Sequence, residues 1–280
     1  MPIEHFRTDL AQEAASRLDT PCEGLVTSDT SFFGVPVSLA SVTTAAASKA
    51  VGKPIGDYYT MSLANGLHRT DPAFSDHARA LARILRELPM IGNGGSFLVA
   101  CLGNAAITPD ALGPSVADSL IITRHLLRSG SAFPGLGDVC ALKTGVLGTT
   151  GIETADKLRA VCSIVKPDCV IAVDALAAGS PERLCRSVQV CDSGISPGSG
   201  VGNDRDPLND DTLGCPVVAV GVPTVIDAAA LSDSPELAGM FVTPRGIDEL
   251  IRSAALVIAA GIDLALHPGL SLEDVLGLMN

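Results

Sequence analysis

Three short stretches of this chain are apolar almost without interruption, where a half-exposed strand would alternate: residues 97–103 (FLVACLG), 169–176 (CVIAVDAL) and 216–223 (PVVAVGVP). Strands of this kind are buried on both faces, and a sheet built from them is covered by helices on both sides. Residues 139–144 (VCALKT) and 187–192 (SVQVCD) read as further strands. Helical stretches lie around them at 115–127, 153–165 and 247–266. Another spans 74–88, where Ala78, Leu81, Ala82, Ile84 and Leu85 recur at helical spacing. The expected fold is α/β, a three-layer α/β/α sandwich around a mostly parallel central sheet.

The N-terminal third reads differently. Residues 7–18 have helical composition, Pro21 and residues 27–31 break it, and 35–63 is β-rich. The chain is therefore expected to be one domain, 1–280, in two parts. Residues 1–90 form an N-terminal helix and β-rich annex, and 91–280 form the α/β core. The 280 residues carry 31 Asp and Glu against 19 Lys and Arg, a net charge of −12, which argues against a nucleic-acid binder. Trp is absent and aromatics make up 3%, too few for base-stacking platforms. The longest strongly apolar run, 254–262, is far short of the roughly 20 residues that span a bilayer. The charged first 18 residues hold no signal-peptide core. No membrane association is expected, and a cytoplasmic location is. The eight cysteines form no C-x-x-C pair and are read as reduced core residues, with no metal or cofactor expected.

In an open α/β sheet, ligands bind beyond the carboxyl ends of the strands. Asp174 stands at the lip of its apolar strand, where a carboxylate is costly unless it is partnered. It reads as an acid, a base or a metal ligand, or as a structural cap for the following backbone. Asp110 follows Thr-Pro in the loop after 97–103 and reads either as a functional carboxylate or as a turn or helix cap. The glycine loop 194–202 lacks the lysine of a phosphate-binding loop. It suits an anion cradle, or a surface that presents bare backbone to an extended peptide. His125 and His267 read as ordinary histidines.

These segments also carry a resemblance. LGNAAITPDALGP (102–114), TRHLL (123–127), GVLGTTGIET (145–154), KPDCVIAVDALAAGSPER (166–183), DSGISPGSGVGN (192–203) and TLGCPVVAVGVPTVIDA (212–228) occur in order, after RTDLA at 7–11. Together they resemble the spore germination proteases, endopeptidases of endospore-forming bacteria. The resemblance implies an endopeptidase that begins the degradation of small acid-soluble spore proteins inside the spore. It implies a zymogen with a short propeptide, here residues 1–6, and a homo-oligomer, tetramer or dimer. It implies a fold related to the hydrogenase-maturation peptidases and an atypical aspartic mechanism, with Asp110 and Asp174 as the catalytic pair. Gly198, Ser199, Gly200 and Asn203 of the glycine loop are the expected substrate-binding residues. Alternatives are a metal-guided maturation peptidase and a non-catalytic peptide-binding descendant.

The chain departs from the family pattern at several places. Gly179 stands where an Arg is usual, Ser196 where a His is usual, and Ala105-Ala106 where an aromatic and Asn are usual. Residues 227–242 replace a much longer segment. Loss of a cation near Asp174 would remove an influence that lowers a carboxylate pKa.

Overall fold

The computed structural model describes residues 8–130, 134–203, 205–232 and 235–279. The expected propeptide, residues 1–6, lies outside the described residues. Within them, nine strands form one sheet: β1 (Leu25–Phe32), β2 (Val35–Val42), β3 (Gly56–Ser62), β4 (Ser96–Cys101), β5 (Asp138–Lys143), β6 (Cys169–Ala178), β7 (Ser187–Cys191), β8 (Val217–Asp227) and β9 (Phe241–Val242). The order is β1-β2-β3-β7-β8-β6-β4-β5, with β9 paired to the end of β8. β5, β4, β6 and β8 run parallel, and β7 attaches to β8 antiparallel.

The uninterrupted apolar runs face two cores at once. Phe97, Val99 and Cys101 of β4 and Cys169, Ile171 and Val173 of β6 point to one core, beneath the helices Pro72–Glu87, Leu112–Ala117 and Ile247–Leu266. Leu98, Ala100, Val170 and Ala172 point to the other, beneath Thr154–Val165. Ala11 and Ala47, on the helices Ala11–Ser16 and Ala45–Val51, pack against the adjoining antiparallel strands. The result is the three-layer α/β/α sandwich that the sequence implies. No helix among the described residues is long and apolar enough to cross a membrane.

The β-rich N-terminal strands join the core sheet, because β3 pairs antiparallel with β7 from Tyr58↔Cys191 to Ser62↔Ser187. That pairing covers an edge of β7 whose backbone groups would otherwise stand open. Residues 27–31, read only as ending the N-terminal helix, form the middle of the strand β1. Their polar character reflects an edge strand exposed on both faces, so no apolar pattern marks it. The helix expected over 115–127 is divided into Leu112–Ala117 and Arg124–Arg128. Between them the chain is drawn straight: Thr123 N donates to Val139 O at 3.1 Å, and Ile121 N donates to Asp263 Oδ1 at 3.1 Å.

Asp263 and His267, both fully buried on the helix Ile247–Leu266 and at its end, hold this crossing. Gly137 N donates to His267 Nδ1 at 3.1 Å, so the ring proton sits on Nε2, which faces Ile121 O at 3.2 Å. Burial lowers the imidazole pKa and pushes the Asp263 carboxyl up to about 8. Both groups are thus neutral at neutral pH. A carboxyl that holds its proton more tightly when folded contributes stability that is full below the usual carboxylate range and is lost as pH rises through about 8. Asp263→Asn keeps the acceptor and removes the titration. Its thermal midpoint should fall less than that of the unsubstituted chain when pH is raised from about 5 to about 9, as read by calorimetry.

Candidate active site

β6 outlasts its neighbour. β4 ends at Cys101, opposite Val173, and Leu102 N makes a last bond to Val173 O at 2.8 Å. The next residue of β6 is Asp174, and the strand continues to Ala178. Asp174 is therefore inside a strand, not at its lip as the sequence suggested, because the weakly patterned ALAA tail still pairs with β8. By alternation its side chain shares the face of Val170 and Ala172. The chain that leaves β4 here turns back through a 3-10 turn, Thr108–Asp110, and so brings Asp110 to the flank of Asp174. Gly103 makes the turn at φ +108°, and a Cβ there would lie 2.1 Å from Asp110 O. Only glycine fits that approach.

Both aspartates open on one cleft of about 620 Å³, with apolar walls that include Ile107, Leu147, Val201 and Phe241. Asp174 is 6% exposed, and its Oδ1 accepts Ala175 N at 2.9 Å. Burial first, and the charge of Asp110 second, hold its carboxyl well above the usual range. Burial also raises Asp110, to about 6, against the opposing pull of the Asn104 N–H. Asp174, the more deeply buried, thus holds its proton more tightly than Asp110. Arg205 and Glu153, both lining the cleft, form an ion pair at 3.6 Å.

The glycine loop lies over the same cleft, lined by Gly198, Gly200 and Asn203. Ser199 does not line it. Its hydroxyl donates to Asp9 Oδ1 at 3.0 Å beside a second cavity of about 300 Å³. Asp9 is the residue that sequence reasoning missed, and RTDLA, quoted only as part of a resemblance, was its one signal. Asp9 N donates to Ala177 O at 3.0 Å, and Asp9 Oδ2 accepts Ala177 N at 2.8 Å, as an added strand would. Gln189 Nε2 donates to Asp9 O at 3.0 Å. Gly200 passes so close that a Cβ would lie 2.0 Å from Asp9 Oδ2. Asp9 thus clamps the glycine loop to β6 three residues beyond Asp174.

The helix Ala11–Ser16 adds to the clamp. Glu13 accepts Gly179 N at 2.7 Å and Ser180 Oγ at 2.8 Å. Arg17 Nη2 donates to Gly179 O at 3.1 Å, and a Cβ on Gly179 would lie 2.1 Å from that nitrogen. The space at position 179 is therefore filled by a guanidinium from the N-terminal helix. No histidine lines the cleft among the described residues, and no group of three or more metal-ligating side chains occurs among them.

The family model for germination proteases matches residues 5–236. The chain belongs to the germination protease family. The germination protease of Caldanaerobacter subterraneus is 37% identical over 96% of this chain and 97% of its own length. That of Clostridium tetani is 38% identical over 83% and 85%, and that of a Geobacillus strain 42% over 81% and 65%. A NiFe hydrogenase maturation protease from Thermococcus kodakarensis is a far looser likeness, 22% identical over 65% of this chain and 98% of that one, with a TM-score of 0.37. The chain is accordingly a peptidase of spore germination.

The Asp9 clamp generates a direct test. Asp9→Ala removes the carboxylate acceptor of both Ser199 Oγ and Ala177 N, and such charged hydrogen bonds contribute about 1.5–3 kcal/mol each. Amide hydrogen exchange at Val201, Gly202 and Asn203 should accelerate by roughly tenfold or more, with β4 amides unchanged.

Proposed function

We propose that this chain is an endopeptidase of small acid-soluble spore proteins that hydrolyses the peptide bond with an activated water held by Asp110 and Asp174. The observation that carries this reading is a pair of carboxyl groups lining one apolar cleft, both held above the usual carboxylate range first by burial. Two like charges in one such cleft do not both ionise readily, and the division of labour follows from their surroundings. Asp110, the less buried of the two, is ionised above about pH 6 and takes the proton from water. Asp174, protonated by its burial, polarises the scissile carbonyl and then gives its proton to the departing amine. The apolar walls exclude bulk water and strengthen both effects.

An extended peptide suits the remaining geometry. The backbone of Gly198 and Gly200 borders the cleft with no side chain to obstruct a strand-like ligand. The short strand β9 brings Phe241 to the opposite rim. We infer further that the open edge of β1, exposed along most of its length, favours assembly with further copies of the chain.

The test is cleavage of a purified small acid-soluble spore protein, with fragments read by mass spectrometry. Asp110→Asn and Asp174→Asn should each reduce turnover by roughly 10² to 10⁴ while the circular dichroism stays native. Near-normal turnover by either folded variant contradicts the assignment. The rate of the unsubstituted chain should fall as pH drops through about 6, where Asp110 gains its proton and ceases to be a base. It should be unchanged in excess chelator.

A further inference from the structure

Beside the aspartates the sheet carries one irregularity. Leu176 pairs with Pro223 and Ala177 with Val225, so Thr224 is an extra residue on β8 with no partner on β6. Before it, Val218, Val220 and Val222 all face the core beneath the helix Ile247–Leu266. Strict alternation would send Thr224 to that core as well. The bulge breaks the alternation, and Thr224 and Val225 both line the cleft shared by Asp110 and Asp174. Bulges beside functional sites commonly re-aim a side chain in this way.

The extra residue carries a hydroxyl without a partner. Thr224 is 1% exposed, and its Oγ1 has no hydrogen bond among the described residues. Its backbone carbonyl is engaged by contrast, accepting Thr243 Oγ1 at 2.9 Å. Three other buried side-chain atoms are similarly alone, on Gln12, Thr60 and Asp138, but none of those residues lines either cavity. An unpaired buried hydroxyl destabilises a folded chain, and a valine of nearly the same shape would remove that cost. A hydroxyl kept at such a place points to a partner that arrives with the ligand.

We propose that the Thr224 hydroxyl is a third functional group of the cleft, which hydrogen-bonds the main chain of the bound peptide and holds it in register against Asp110 and Asp174. A hydroxyl donates and accepts, and a peptide unit offers both an N–H and a C=O, so either pairing satisfies the orphan. Because Thr224 sits one residue past the strand pair Leu176–Pro223, its reach is fixed by the sheet rather than by a loop. The proposal rests on the peptidase reading above.

The experiment compares Thr224→Val and Thr224→Ser with the unsubstituted chain on a purified small acid-soluble spore protein. Thr224→Val should lose roughly 10-fold to 10²-fold in kcat/KM while its thermal midpoint stays equal or rises. Thr224→Ser, which restores the hydroxyl without the methyl, should recover most of the loss. Unchanged kcat/KM in Thr224→Val overturns the proposal, as does a serine variant as slow as the valine one. If the unsubstituted chain cleaves and Thr224→Val cleaves equally well, Thr224 alone is refuted. If the unsubstituted chain leaves the substrate intact, the peptidase reading falls and takes this proposal with it.

Discussion

A carboxylate in the middle of a strand that is buried on both faces is the constraint around which this molecule is arranged. Asp174 is almost wholly withdrawn from bulk water, and the pairing of β6 with β8 holds it there. Its neighbourhood therefore has to accommodate it. β4 ends one register position early, so the flank of Asp174 is met by a turn rather than by another ladder. That turn needs Gly103 in a left-handed conformation to bring Asp110 alongside. Two carboxyls brought together in an apolar cleft cannot both release their protons, and the chemistry of the site follows from that imbalance.

The cover of the site is supplied from a distance in sequence. β7 runs antiparallel to β8, so the chain leaving it starts at the amino end of the parallel strands and has to return to reach Asp174. The bridge between Ile195 and Leu208 carries part of that return, and Asp9 fixes the glycine loop onto β6. The same N-terminal segment fills the space above Gly179 with Arg17.

The sequence made the parallel half of the fold legible because burial on both faces leaves an unbroken apolar record. The helix Ile247–Leu266 and the strand β6 begin where the pattern places them, and β4 begins one residue earlier, at Ser96. β1 left no such record, since neither of its faces is covered. The junction of β3 with β7 was equally silent, because it joins Tyr58 to Cys191 and no local pattern encodes a partner so remote. At the site, Asp110 and Asp174 stood out as polar residues in apolar or turn-rich surroundings. Asp9 and Thr224 did not, because the significance of each lies in what it faces across the fold.

The stitching of Asp9 and Glu13 has a consequence for the order in which the molecule is made. These two residues are made well before their partners, since Ala177, Gly179 and Ser199 follow 168, 166 and 190 positions later. Contacts of such separation cannot form on a partly synthesised chain, and they close late in folding. The loop that roofs the aspartates thus stays unfastened until most of the polypeptide has been translated.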